Sequence, residues 1–250
     1  MPPPKRLKET DAIFAQLDRV HRESAQAPES LRLSLDAKAA VNIGPFSRGG
    51  QSRTGERAAD HDFKPEGVLT PFGIYRPAAG ALDLYFTASK VSSDFIVDTL
   101  EAWWLAHRAE HPQVRELVLD LDNGPENSGQ CSQFLYRLVC FAQKYQLRLR
   151  LAYYPPYHSK YNPIERCWGV LEVYWRGQLL DSAAAVLGYA AAMTYKGKHP
   201  RVQRVTKAYS KGVKRTKAQK KELEQHLHRL PGLGKWVIDI PPPGPDVGIN

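Results

Sequence analysis

No apolar run in this 250-residue chain approaches the roughly eighteen residues that a membrane span requires. The opening MPPPKRLKET also lacks the apolar stretch of a secretory leader. A cytosolic protein with no membrane partner is therefore expected. Cysteine is scarce: Cys131, Cys140 and Cys167 are the only three, and none forms a CxxC pair. Buried thiols in a reducing compartment are expected from that spacing, with a metal site as the alternative. No internal repeat is present. Acid is missing from one stretch altogether, since Lys196 to Lys221 holds eleven Lys or Arg and no Asp or Glu. The chain's net charge is +9, so the remainder sums to about −2 and the basic excess is local. Clustered cations focus a field, as a polyanion-facing segment requires; a solvated basic face is the alternative.

With 42% hydrophobic and 24% charged residues, the chain has the composition of a folded globular protein, long enough for one large domain with an appendage. In ETDAIFAQLDRVHRES, Ile13, Leu17 and Val20 recur at helical spacing. LRLSLDAKA alternates Leu31, Leu33 and Leu35 with polar residues, the period of a strand. From Gly44 to Gly67 a Gly- and Arg-rich tract reads as a surface excursion. TPFGIYRP and ALDLYFTAS form a predicted hairpin, and Ser92 or Ser93 caps a helix to about Glu110 with Ile96, Leu100, Trp103 and His107 on one side. ELVLDLD is the near-continuous apolar run of a strand covered on both faces. A helix from about Ser128 to Tyr145, the strand LRLRLAYY and a helix opened by Asn162 and Pro163 follow, the last packing through Ile164, Trp168, Leu171 and Trp175. This βββαβαβα order predicts an α/β fold whose sheet has parallel members flanked by helices.

Three acids occupy telling places: Asp36 near the end of the first strand, Asp122 where LVLDLDNG leaves its strand, and Glu165 in the first turn of a helix. Residues at the carboxyl ends of strands in open α/β sheets converge on one crevice. Carboxylates gathered there attract hard divalent cations, and an ion pair about 3.5–4 Å apart clamps both oxygens of a phosphoryl displacement. Each acid has an ordinary alternative. Glu165 closes a capping box if Asn162, Pro163 and Glu165 are N-cap, N1 and N3; Asp122 before Asn-Gly makes an Asx-turn; Asp36 faces solvent from the polar side of its strand. Asp120 is a rival to Asp122.

The segments SLDAKA, DLDNGPENS and AYYPPYHSKYNPIERCWGVLE, from about Leu31 to Gly197, resemble the DDE transposases of bacterial insertion sequences, in particular the ISAzo-thirteen group. The resemblance implies a ribonuclease-H-like mixed sheet flanked by helices, in which Asp36, Asp122 and Glu165 match the catalytic, metal-binding triad. It implies two Mg²⁺ ions, with Mn²⁺ as substitute, and DNA as the partner, both element ends and target. Hydrolysis of a phosphodiester followed by strand transfer is the implied activity.

Four segments are expected on this reading: a helical leader at 1–30, the catalytic domain at 31–180, a helical basic extension at 181–238 and a Pro/Gly-rich tail at 239–250. Lys38, Arg48, Lys160, Lys214, Arg215 and Lys217 are the candidate DNA contacts, with Arg53 and Arg57 beside Arg48. His158 orients a phosphate or makes a structural turn bond. Transposases of this group usually carry a longer N-terminus with a helix-turn-helix region, so truncation is expected, with a nucleoid-associated location and a homo-oligomer as a compatible assembly. Two other readings stay open, a noncatalytic DNA-binding remnant and a structure-selective nuclease on the same fold.

Overall fold

The computed structural model describes residues 8–45, 47, 53, 55, 64–242 and 244. In chain order its elements are α1 (Thr10–Gln26), β1 (Ser30–Ala37), β2 (Val41–Ile43), β3 (Gly67–Arg76), β4 (Ala81–Thr87), α2 (Ser93–His107), β5 (Glu116–Leu121), α3 (Ser132–Tyr145), β6 (Arg148–Tyr153), α4 (Glu165–Trp175), α5 (Ala183–Ala192), β7 (Arg201–Val205), α6 (Lys217–Glu224), β8 (His228–Arg229) and β9 (Val237–Ile240). They fall into two compact units drawn from separated stretches of chain: Met1–Ser34, Ser92–Asn162 and Lys211–Asn250 make unit 1, and Leu35–Val91 and Pro163–Ser210 make unit 2. The linear division expected from the sequence does not follow these groupings. No helix among the described residues is long and apolar enough to cross a membrane.

Unit 1 is a mixed sheet with helices on it, in the order β1-β5-β6-β9-β8. β1, β5 and β6 run parallel, β9 antiparallel to β6 and β8 antiparallel to β9. Parallel neighbours need a crossover, and α3 supplies it between β5 and β6. β5 is buried from Leu117 to Leu121, as its unbroken apolar run requires. Ile13, Leu17 and Val20 of α1 are buried, as are Ile96, Leu100, Trp103 and His107 of α2. Ser92 caps α2 by accepting from Phe95 N at 3.3 Å. Arg137 of α3 bridges Asp94 at 2.7 Å and Asp98 at 2.6 Å on α2. α3 starts at Ser132, later than the expected Ser128, and its N-cap Cys131 makes no side-chain capping bond.

Unit 2 carries the expected hairpin, β3 antiparallel to β4 from Thr70↔Thr87 to Arg76↔Ala81. Gly80 closes it at φ +62°. β2 adds to β3 and β7 lies parallel to β4 at the edge. Ile164, at the N-cap of α4, and Trp168, Leu171 and Trp175 within it pack with Leu69, Leu84, Phe86 and Met193 in the unit's core. Gly73 on β3 makes that packing possible: a Cβ there would stand 2.6 Å from Ile164 Cδ1 and 2.8 Å from Trp168 Cη2.

The extension expected to be helical contains α5 and α6 but also β7, β8 and part of β9. β7 reads RVQRV, with Val202 and Val205 half-buried and the arginines exposed. Charges on an edge strand block further pairing, and here they also mask the strand in the sequence. Of the three thiols only Cys167 is buried, whereas Cys131 and Cys140 are half-buried. Burial pushes the Cys167 thiol up to about 12.

Candidate active site

Asp36 is the penultimate residue of β1 and is 9% exposed, so the expected solvent-facing alternative fails. Its Oδ2 accepts a 2.7 Å hydrogen bond from Trp168 Nε1. Lys38, just past the strand, places Nζ 2.6 Å from Glu172 Oε1. Trp168 and Glu172 are four residues apart on α4 and so share a face, and Glu165 lies on that same face one turn earlier. The end of β1 is thereby held to α4 at two points. Lys38 is engaged in an ion pair rather than extended to solvent, its side chain being 14% exposed.

Glu165 is the first residue of α4, with Ile164 at the cap position and no side-chain capping bond. The helix thus opens later than the Asn162 and Pro163 signal implied. Asn162 N donates to Ser159 O at 2.7 Å, closing a 3-10 turn at Ser159–Tyr161. Its side-chain oxygen accepts from Ser34 Oγ. The Glu165 carboxylate is half-buried and has no hydrogen-bond or ion-pair partner among the described residues. A capping box is therefore not formed.

Asp122, half-buried, follows β5 in unit 1. Its Oδ1 accepts from Gly124 N at 3.2 Å and from Asn127 Nδ2 at 2.8 Å, so the Asx-turn foreseen for Asp-Asn-Gly forms. Asn123 takes φ +62° within it, and its Oδ1 accepts from Gly129 N at 3.2 Å. The turn occupies one carboxylate oxygen and leaves Oδ2 without a donor among the described residues. Asn127 is 8% exposed and its Oδ1 is a buried acceptor with no donor among the described residues. Asp120, the rival acid, is fully buried and bound at Oδ1 by His21 Nε2 at 2.8 Å and at Oδ2 by Arg32 Nε and Nη2 at 2.8 and 2.7 Å. A carboxylate closed by a guanidinium fork and an imidazole is a structural anchor.

The oxygen-only donors of Asp36, Asp122 and Glu165 suit a hard divalent cation, and the undonated oxygens of Asp122, Glu165 and Asn127 are acceptors of that kind. Among the described residues no three His, Cys, Asp or Glu are gathered as a metal-holding group. Asp36 and Glu165 belong to unit 2 and Asp122 to unit 1. Sequence reasoning did not anticipate Trp168 or Asn127 as polar partners. Their signals are a Trp three residues after the helix-opening acid and an Asn five residues after the turn Asp.

The basic residues have varied surroundings. Lys214 and Lys217 are exposed cations without a partner among the described residues. Arg215 stacks its guanidinium 3.3 Å from the Tyr136 ring centroid and donates Nε to Gln133 Oε1 at 3.0 Å. Lys160 is exposed, with Nζ 5.3 Å from the Tyr161 ring centre. His158 Nδ1 lies 2.8 Å from Pro156 O, a structural turn bond. Arg53 N donates to Gly177 O at 2.8 Å, while Arg48 and Arg57 lie outside the described residues.

The chain is similar to the solved Mos1 transposase paired-end complex with the left transposon end, at TM-score 0.52 and 14% identity, over 74% of this chain and 55% of that one. It is also similar to the Mos1 mariner paired-end complex with Mn, at TM-score 0.50, 14% identity and the same coverage. The chain thus spans about half the length of the Mos1 chains, and the likeness establishes the fold, a ribonuclease-H-like mixed α/β one as expected. Comparison with curated proteins finds no match. Residues 2–242, nearly the whole sequence, match the family described as Rhodopirellula transposase DDE domain. The chain belongs to that transposase DDE domain family.

Proposed function

We propose that this chain is the catalytic domain of a transposase that hydrolyses a DNA phosphodiester and transfers the freed strand, with Asp36, Asp122 and Glu165 as the residues that hold two Mg²⁺ ions. The observation that carries the reading is the family match over residues 2–242, which spans all three acids. The neighbouring Mos1 structures are complexes with a transposon end and with Mn, which supports DNA as the partner and a divalent cation as the cofactor. When bound, a metal pair supplies Lewis-acid stabilisation to the attacking and leaving oxygens.

The chain's own residues provide rigidity. Trp168 holds one Asp36 oxygen at 2.7 Å and fixes the carboxylate plane. The Asx-turn does the same for Asp122 through Oδ1 and leaves Oδ2 for a ligand. Glu165, at the first position of α4, is carried by a helix that Trp168 and Glu172 tie to the end of β1. Such preorganisation matters because positioning errors of about 1 Å cost on the order of 100-fold in rate. Lys160, Lys214 and Lys217 meet DNA phosphates in this proposal, with Lys38, Arg48 and Arg215 as weaker candidates.

The test is an oligonucleotide nicking and joining assay with Mg²⁺ or Mn²⁺, run beside calorimetric Mn²⁺ titration. Asp36→Asn, Asp122→Asn and Glu165→Gln are each expected to abolish nicking and weaken Mn²⁺ binding while the far-ultraviolet spectrum stays unchanged. Near-normal cleavage by any of the three would refute the triad.

A further inference from the structure

The loop between β6 and α4 leaves two aromatic rings in solvent. Tyr157 is 73% exposed and Tyr161 54% exposed, the most open of the large apolar side chains among the described residues apart from Val173. Tyr157 sits at φ +65°, a left-handed conformation that a bulky residue rarely adopts. It has no ring, hydrogen-bond or charge partner among the described residues. Tyr161 is braced from behind, with Phe14 edge-on at 5.3 Å, His158 stacked at 6.0 Å and Lys160 Nζ 5.3 Å from its ring centre. The loop therefore presents one free ring, one supported ring and one exposed cation.

Its position connects it to Asp122. Tyr154 N donates to Leu121 O at 2.9 Å, and Leu121 immediately precedes Asp122. Tyr157 is three residues past Tyr154, a reach of about 11 Å at most. One open groove of about 910 Å³ has Asn123 and Pro156 in its lining, the first next to Asp122 and the second next to Tyr157. Its lining charges are balanced, Glu9 and Glu224 against Arg229 and Lys235. A groove without net charge suits the faces and edges of bases better than a phosphate backbone, for which Lys160 is placed outside it.

We propose that Tyr157 and Tyr161 form a stacking platform for an unpaired nucleobase of DNA, with Lys160 on the adjoining phosphate. The inference rests on the proposed function in taking DNA as the partner, and it adds that the strand beside Asp122 is held with a base out of the duplex. Every base offers a π-face, so the platform is indifferent to sequence. Its unpaired ring is the feature that a protein-only role leaves unexplained.

The experiment uses the whole chain in EDTA, so that the acids contribute no metal-dependent binding. A blunt duplex is compared with the same duplex carrying a short 3′ overhang that contains 2-aminopurine. The overhang is expected to bind about 5- to 150-fold tighter, the range that stacking one base on an aromatic ring supplies, with quenching of the 2-aminopurine fluorescence. Tyr157→Ala should remove both the preference and the quenching, and Tyr157→Trp should keep both, with the melting temperature unchanged in each. A preference that survives Tyr157→Ala overturns the platform. So does a fall in sedimenting mass in Tyr157→Ala, which would make the rings a contact between two copies. Normal binding to blunt duplex without any preference defeats this inference alone, whereas no binding to any DNA defeats the proposed function as well.

Discussion

Trp168 Nε1 donates to Asp36 Oδ2 at 2.7 Å, and both groups are buried. A residue that the helical pattern assigns to the core thus also directs a carboxylate. Replacing it with Phe keeps most of the apolar ring and removes the donor. Trp168→Phe should cost about 1.5–3 kcal/mol in urea denaturation, the worth of a hydrogen bond to a charged group. It should also weaken Mn²⁺ binding about 10- to 100-fold, as loss of an outer-shell partner does. A stability loss with unchanged Mn²⁺ affinity would limit Trp168 to packing.

Asp120 and Asp122 are separated by their environments, so their amide variants should behave oppositely. Asp120→Asn leaves Arg32 and His21 facing a neutral amide in a closed site and should destabilise by on the order of 3 kcal/mol. Asp122→Asn keeps an oxygen for Gly124 N and Asn127 Nδ2, so thermal stability should hold within about 0.5 kcal/mol while metal binding falls. Thermal melts and Mn²⁺ titrations on the two variants check the pair of outcomes. The reverse pattern would transfer the metal role to Asp120.

The Cys167 thiol is raised from 9.0 to about 12 by burial. A thiol favoured in its neutral form in the fold contributes stability that is complete below pH 9 and is lost as pH rises toward 12. Cys167→Ser should flatten that alkaline loss in denaturation curves. In the native protein iodoacetamide should modify the half-buried Cys131 and Cys140 well before Cys167, read by peptide mass mapping.

Lys214, Arg215 and Lys217 divide by environment. Lys214→Ala with Lys217→Ala should flatten the slope of log K against log salt by up to about 1.8, at about 0.9 per phosphate contact. Arg215→Ala should instead lower the melting temperature, because its guanidinium covers Tyr136 and holds Gln133, and change the slope little. Fluorescence anisotropy across a KCl series measures both. Equal slope changes for all three would mean that Arg215 leaves Tyr136 to reach the backbone.

Long patterned segments were readable in advance for a physical reason. β5 is apolar without interruption because both its faces are covered, and α2 shows its buried stripe because its other side meets water. The elements that escaped are those whose pattern is short or overwritten. β2 has three residues, too few for a period, and β7 carries arginines on an exposed edge that resemble a solvated face. At the site, Asp-Asn-Gly announced its turn because the chemistry is local. Burial of Asp36 could not be seen, since it depends on a tryptophan 132 residues away. The helix opening was misplaced at Asn162, which instead closes the 3-10 turn Ser159–Tyr161 and accepts from Ser34, a partner that no local rule reveals.

The placement of β9 sets an order on synthesis. Every stretch of unit 2 ends by Ser210, while β6 in unit 1 acquires its second neighbour only when Val237–Ile240 is made. At about 5–20 residues per second, β6 waits roughly four to seventeen seconds for that strand. Throughout that interval the β6 edge has open backbone donors and acceptors, available to the strands of neighbouring nascent chains. Crowding of several ribosomes on one message therefore bears most heavily on this edge, and slower translation of the last codons lengthens its exposure.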